Sequence, residues 1–241
     1  MQTVAVVLAA GSGSRFGSAS PKQLRVLAGR NLIEHSVQAF ELAPSVDQVL
    51  VVTAASIQDQ VQRAVAGLAK VVDVIRGGTT RTDSTSNALG WLNQRAPADA
   101  KVLFHDAARP LVDQRIIADC VAALDQWEAI GVVVPTSDTI VEIAGGAIRR
   151  VLPRDTLARC QTPQGFRLAV ISRAYELADA DPGFADRPAT DDCGVVLRYL
   201  PDVAIGAVTG SERNLKITYA ADLSIARALL APTTQARDDE G

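Results

Sequence analysis

Short runs of Val, Leu and Ala alternate along the chain with longer stretches whose apolar residues recur every three or four positions. Segments 3–9, 48–53, 71–75, 101–105 and 131–135 are nearly continuous in apolar residues, the pattern of strands buried on both faces. Between them, segments 32–42, 56–68, 84–95 and 116–127 carry the helical period. In the last of these Ile116, Ile117, Cys120, Val121, Leu124 and Trp127 fall on one face. Strand and helix alternating at this pitch predict an α/β, Rossmann-like fold: a mostly parallel sheet with helices on both faces.

After Pro135 the rhythm changes. Segments 139–143 and 148–152 alternate apolar with polar residues around Gly145-Gly146, which predicts an antiparallel hairpin, an arm at about 136–160 inserted into the α/β core. A two-stranded ribbon is marginal alone in water, so the arm is expected to lie on a second subunit. Further on, 168–178 reads as a helix, 179–188 as a polar loop, 203–208 as a late strand and 221–230 as a closing helix. Thr190-Asp191-Asp192 ahead of Cys193 reads as a helix N-cap with acids in the first turn. The expectation is one domain over 1–230, followed by a flexible tail at 231–241 with no room for a further domain.

Composition narrows the classes. With 48% hydrophobic and 21% charged residues, the 241-residue chain is not a disordered one. Its 24 basic and 27 acidic residues give a net charge of −3, which argues against a nucleic-acid partner, and 4% aromatics leave little for base-stacking platforms. Cys120, Cys160 and Cys193 are far apart and odd in number, so free thiols in a reducing cytoplasm are expected, not a disulfide framework or zinc site. The apolar N-terminus lacks a basic leader and ends at Gly11; it reads as a buried first strand, neither signal peptide nor membrane span.

In open parallel sheets ligands sit beyond the carboxyl ends of the strands. The first such loop is Ala9-Ala10-Gly11-Ser12-Gly13-Ser14-Arg15-Phe16-Gly17, followed by Pro21-Lys22-Gln23. Its glycines let backbone N–H groups approach phosphate, and Arg15 and Lys22 add charge, although the spacing matches neither a dinucleotide fingerprint nor a P-loop. The third strand ends in Gly77-Gly78-Thr79, with Ser84 either capping the next helix or binding a ligand. The fourth ends in His105-Asp106-Ala107-Ala108-Arg109, where Asp106 could hold a sugar hydroxyl or serve Mg2+. Arg109 either pairs with a carboxylate such as Asp106 or faces the ligand, and His105 reads as a framework residue. Lys216, between apolar Leu215 and Ile217, should point away from the core. These loops supply cations and amides but no covalent machinery, which suits phosphoryl or nucleotidyl transfer.

The first loop with Pro21-Lys22-Gln23 resembles that of sugar-nucleotide pyrophosphorylases. Together with His105-Asp106-Ala107-Ala108-Arg109-Pro110, Thr162-Pro163-Gln164, Thr190-Asp191-Asp192 and Asn214-Leu215-Lys216-Ile217-Thr218, it resembles the 2-C-methyl-D-erythritol 4-phosphate cytidylyltransferases of the non-mevalonate isoprenoid pathway, in order from about Thr3 to Leu230. The resemblance implies a homodimer with interlocking arms that joins methylerythritol phosphate to CTP with Mg2+ and releases pyrophosphate. It implies Arg15, Lys22 and Lys216 as catalytic cations, and Ala9, Ala10, Gly11, Gly78, Thr79, Ser84, Asp106 and Ala107 on the nucleotide side. Asp106 would also face the metal region. Thr139 and Arg154, from the partner's arm, would bind methylerythritol phosphate, with Thr190 near it. Thr79 stands where an acidic residue is common in the family, and Arg213 precedes Asn214 where an acid is often adjacent. A ribitol-5-phosphate cytidylyltransferase is the related alternative, disfavoured by Ala9-Ala10-Gly11 and Ala107-Ala108; a nucleotide-binding protein without catalysis is the other.

Overall fold

The computed structural model describes residues 1–11 and 21–231; Arg15 of the first loop, and the expected tail from residue 232 onward, lie outside the described residues. The chain runs β1 (Thr3–Ala9), β2 (Val26–Leu27), β3 (Arg30–Asn31), α1 (Leu32–Glu41), β4 (Gln48–Thr53), α2 (Gln58–Val65), β5 (Val71–Arg76), α3 (Arg81–Leu92) and β6 (Lys101–Asp106). It continues through α4 (Gln114–Ala123), β7 (Ala129–Pro135), β8 (Val141–Ala144), β9 (Ala147–Val151), β10 (Ala158–Arg167), α5 (Leu168–Ala180), α6 (Asp192–Tyr199), β11 (Ile205–Thr209) and α7 (Ala220–Leu230).

Seven strands form one sheet in the order β11-β7-β10-β6-β1-β4-β5. Every pairing is parallel except the two made by β10. The period of two along the central strands explains the layering. Ala5, Val7, Val49, Val51, Leu103 and Ile130 face one side, where they pack with Ile33, Val37, Ile116 and Ile117 of α1 and α4. Val4, Val6, Leu50, Val52, Val102 and Phe104 face the other, against Leu92, Ile171 and Val196 of α3, α5 and α6. Helices therefore cover both faces, as the alternation predicts.

Two features depart from that reading. The sequence expectation has no strand at 158–167, yet β10 lies between β6 and β7. Its buried residues include Gln161, Thr162 and Gln164, whose side chains are hydrogen-bonded, so it shows no apolar run. Pro163, with no N–H to give a ladder, falls in the register shift between Gln161 and Gln164. The segment expected as a doubly buried strand, β5, is an edge strand with Val72 exposed.

The chain leaves β1 for β4 and β5 on one side, then crosses back to β6 on the other. In register, Leu8 of β1 sits opposite Asp106 of β6. Their carboxyl ends thus open a crevice where the strand order reverses, the general ligand position in such sheets. A small third cluster, Leu27, Leu32, Ile217, Leu223 and Ala226, fastens the 215–218 segment beneath α7 beside the β2–β3 hairpin. The β8–β9 ribbon leaves β7 after Pro135 and returns into β10, where Ala158 pairs with Pro135, so the arm projects from this same end of the sheet. Ile143 and Ile148, paired across the ribbon, are 65% and 66% exposed.

Candidate active site

The crevice holds a cavity of about 380 Å³ lined by Ala10, Gly11, Lys22, Thr79, Arg81, Ser84, Asp106 and Lys216, among others. One wall is the end of β1. Gln23, itself buried, donates its side-chain amide to the Gly11 carbonyl and so ties the turn carrying Lys22 to that strand end. Lys22 Nζ donates to the Ile217 carbonyl at 2.8 Å, which brings it beside the 215–218 segment. There Ile217 is fully buried, and Lys216 projects the other way with a 40% exposed side chain.

The second wall is the start of α3. Thr80 is its N-cap: the Thr80 hydroxyl accepts from Asp83 N, and the Asp83 carboxylate accepts from Thr79 N, Thr79 Oγ1 and Thr80 N. Those bonds hold the Asp83 carboxyl below its ordinary value. The helix therefore starts three residues before the expected Ser84. Ser84 is buried in the first turn, where it donates to the Thr80 carbonyl and accepts from Gly78 N. Gly77 and Gly78 are required by packing: a Cβ on Gly77 would lie 2.5 Å from the Ala10 Cβ, and one on Gly78 only 2.0 Å from the Asp83 Cβ.

Asp106 forms the floor. Its Oδ2 accepts from Lys216 Nζ at 2.6 Å and its Oδ1 lies 3.4 Å from Arg81 Nε. Burial alone would push its pKa up, but Arg81 and Lys216, with Arg109 further off, outweigh burial and hold the carboxyl well below the usual range. Arg81 is the residue the sequence reading did not single out. Its partners lie far away in the chain, and nothing local distinguishes it from a surface arginine.

Several expected residues lie elsewhere. Ala9 and Ala107 are about 1% exposed and belong to the apolar layer; Leu8 and Ala108 line the cavity instead. Among the described residues Arg109 forms no ion pair with a carboxylate: it donates to the Asn214 and Cys160 carbonyls at 2.8 and 3.3 Å, bracing the segment that carries Lys216. Thr139 and Arg154, expected to act from a partner's arm, are exposed and outside their own chain's cavity, and so is Thr190. Arg154 donates to the Ser137 carbonyl and lines a second hollow at the base of the arm. The expected N-cap motif is present at the start of α6, with Asp191 itself the cap through Gly194 N and Asp192 in the first turn.

Among the described residues no group of three or more His, Cys, Asp or Glu could hold a metal ion. Asp106, the expected metal-facing residue, is already engaged by Lys216 and Arg81, so the described donors of the crevice do not by themselves fit a resident metal.

His105 is a framework residue. It is fully buried, its Nε2 bonded to the Arg109 carbonyl and its Nδ1 to Thr162 Oγ1, both at 3.1 Å. Burial pushes its pKa down from 6.5 to about 4. The unfolded chain therefore takes up a proton below pH 6.5 that the folded chain refuses, and stability falls as pH drops toward 4. The expected loss is on the order of 3 kcal/mol across that window. Asp106, with a depressed pKa, adds its own loss only below its ordinary 3.8. Urea unfolding across the window checks this. His105→Gln should start less stable yet show a flatter slope, and an equal slope in both proteins would contradict the assignment.

A crevice of this kind, at the reversal point of an open α/β sheet and lined by lysines and an arginine, belongs to the nucleotide-handling α/β proteins, whose chemistry is charge neutralisation at phosphates. Comparison with known proteins defines the family. The model described as 2-C-methyl-D-erythritol 4-phosphate cytidylyltransferase matches residues 3–232, and the chain belongs to that family. It is 48% identical over 236 residues to the enzyme of that name from Thermobifida fusca, covering 95% of this chain and 93% of that one. It is 35% identical over 232 residues to a bifunctional ribulose 5-phosphate reductase/CDP-ribitol pyrophosphorylase from Haemophilus influenzae, covering 95% of this chain but 48% of that protein. The crystal structure of the Thermus thermophilus cytidylyltransferase superposes with a TM-score of 0.75 at 30% identity, covering 95% of this chain and 98% of that one. The protein is thus a nucleotidyltransferase, and its family supports methylerythritol phosphate over ribitol phosphate as acceptor. Among the described residues no helix is long and apolar enough to cross a membrane.

Proposed function

We propose that the crevice binds CTP and that the phosphate of 2-C-methyl-D-erythritol 4-phosphate attacks its α-phosphorus. A phosphate oxygen forms the new P–O bond, the bond to the β-phosphate's bridging oxygen breaks, and pyrophosphate leaves with 4-diphosphocytidyl-2-C-methyl-D-erythritol as product. The observation that carries this reading is the convergence of Lys22 and Lys216 on one cavity whose opposite walls are Ala10-Gly11 and the capped start of α3. The substrate's own phosphate is the nucleophile, so the protein needs only to align two anions and neutralise the charge that develops.

In this reading Lys22, with Arg15, draws charge from the leaving pyrophosphate. Lys216 serves the α-phosphate: an ammonium has three donors, so it can keep its bond to Asp106 and still offer N–H groups to the cavity. Ala10, Gly11, Thr79 and Ser84 line the cytidine side, with Gly78 behind them. A divalent cation such as Mg2+ enters as part of the nucleotide substrate and lowers its charge. Three free thiols fit a reducing compartment, and we place the enzyme in the cytoplasm.

The acceptor half of the site is assigned to a second copy of the chain. The arm carries Thr139 and Arg154 away from its own cavity and exposes Ile143, Ile148 and Val151, an apolar strip that a lone ribbon would not leave in water. Arg154→Ala should raise the KM for methylerythritol phosphate by about tenfold or more with the KM for CTP nearly unchanged, as for loss of an arginine–phosphate contact. An effect confined to CTP would contradict the placement. Mixing Arg154→Ala with Lys22→Ala chains tests the exchange of arms. Random pairing leaves about a quarter of sites with both residues intact, so the mixture should recover about a quarter of the wild-type rate. No recovery under conditions of subunit exchange would place Arg154 at its own chain's site.

A further inference from the structure

Arg81 occupies the first turn of α3, where the helix dipole disfavours a cation. Two carboxylates hold it there. Its Nη2 lies 2.7 Å from Asp192 Oδ2 and its Nε 3.4 Å from Asp106 Oδ1. Burial lowers its proton affinity, but Asp192 and Asp106 more than reverse that. Asp192 is fully buried at the start of α6, and its other oxygen accepts from Tyr175 OH at 2.6 Å and Thr85 Oγ1 at 3.0 Å. Its backbone N–H donates to Gln164 Oε1 of β10 at 3.1 Å. Residues of α3, α5, α6 and β10 thus meet at one buried charge. Asp192 and Tyr175 do not line the cavity; Arg81, Asp106 and Lys216 do.

A buried ion pair is weak grounds for stability, because desolvation offsets most of the attraction. What it does supply is geometry. A guanidinium is a rigid planar fork, and the Nη2–Asp192 contact, an ion pair at 2.7 Å outside hydrogen-bond geometry, limits where the Nε end can point.

We propose that Arg81 is a positioning residue: Asp192, braced by Tyr175 and Thr85, clamps its guanidinium so that the Nε end sets the Asp106 carboxylate and, through it, the Lys216 ammonium at the cavity floor. The proposal rests on the functional reading above, in which Lys216 serves the α-phosphate. Arg81 acts through Asp106, and the buried bracing acts through Arg81.

The test is a cycle on the full chain: pyrophosphate release by wild type, Tyr175→Phe, Arg81→Lys and the double variant. Tyr175→Phe removes one hydroxyl outside the cavity. It should lower kcat about tenfold, the scale of a small misplacement of a reacting group, with the KM for CTP within about twofold. Arg81→Lys keeps the charge and loses the fork, so it should fold and lose at least as much. If the bracing works through Arg81, adding Tyr175→Phe to Arg81→Lys changes kcat by less than about twofold. Losses that multiply in the double variant would overturn the proposal, as would a Tyr175→Phe enzyme that only melts earlier and turns over normally. The NMR signal of the Arg81 Nε–H, assigned by its loss in Arg81→Lys, reads the clamp without turnover. Slow guanidinium rotation in wild type and faster rotation in Tyr175→Phe are expected, and equal rotation in both would overturn it. A wild type that releases no pyrophosphate would sink the functional reading, while the NMR comparison would still decide the clamp.

Discussion

Replacing Lys22 with alanine is expected to lower kcat by about 10²–10³-fold, far more than it lowers folding stability. The rate estimate is that for removing one preorganised donor aimed at developing charge. Lys22 reaches the cavity from a turn held by the buried Gln23 amide on the Gly11 carbonyl, so the turn's geometry does not depend on the ammonium. Its contact with the Ile217 carbonyl is, among the described residues, one hydrogen bond at a half-buried position, worth about 1 kcal/mol or less. Single-turnover pyrophosphate release beside urea unfolding separates the two effects. A near-normal rate in the variant would remove Lys22 from the triphosphate; Arg15→Ala is expected to behave in the same way.

The second large effect is expected at Lys216. Lys216→Ala should lower kcat by about 10²–10³-fold, with the KM for CTP raised less than about tenfold, because charge at the α-phosphate builds only as the new bond forms. The lysine is a donor to Asp106 at 2.6 Å, and Arg81 remains on that carboxylate when the lysine is gone. Asp106 therefore stays ionised, and the fold has no reason to lose the site. A loss carried wholly by KM would make Lys216 a ground-state binder instead.

Most of the sheet is legible in the chain because parallel strands buried on both faces carry near-continuous apolar runs, as β1 and β4 do and as Val102, Leu103 and Phe104 do at the centre of β6. β10 escaped because it satisfies its burial by hydrogen bonds: Gln161, Thr162 and Gln164 are buried with partners on Ser211, His105 and Asp191, so no hydrophobic run marks it. The boundary of α3 was misplaced for a related reason. Thr80 and Ser84 are both plausible caps, and only the Asp83 carboxylate reaching back to Thr79 and Thr80 decides between them. In the site, the residues at or beyond the carboxyl ends of β1, β5 and β6 come together with Lys216: Gly11, Lys22, Thr79, Ser84, Asp106 and Lys216 line one cavity. Lys216 was readable because alternation between Leu215 and Ile217 fixes its direction. Arg81 was not, since its carboxylates are separated from it by 25 and 111 positions (106 − 81 and 192 − 81), beyond the reach of any local pattern. The family resemblance supplied what no spacing carries, the identity of the two substrates.

The central claim is that this crevice transfers a cytidylyl group to methylerythritol phosphate. The most direct measurement is pyrophosphate release with CTP and a divalent cation, comparing 2-C-methyl-D-erythritol 4-phosphate with ribitol 5-phosphate, and CTP with UTP, ATP and GTP. Turnover is expected with CTP and methylerythritol phosphate at a kcat/KM at least about 10²-fold above any other pairing, the discrimination available when buried polar groups go unpaired with the wrong substrate. Turnover of ribitol 5-phosphate alone, or CTP binding with no turnover of either acceptor, would contradict the account.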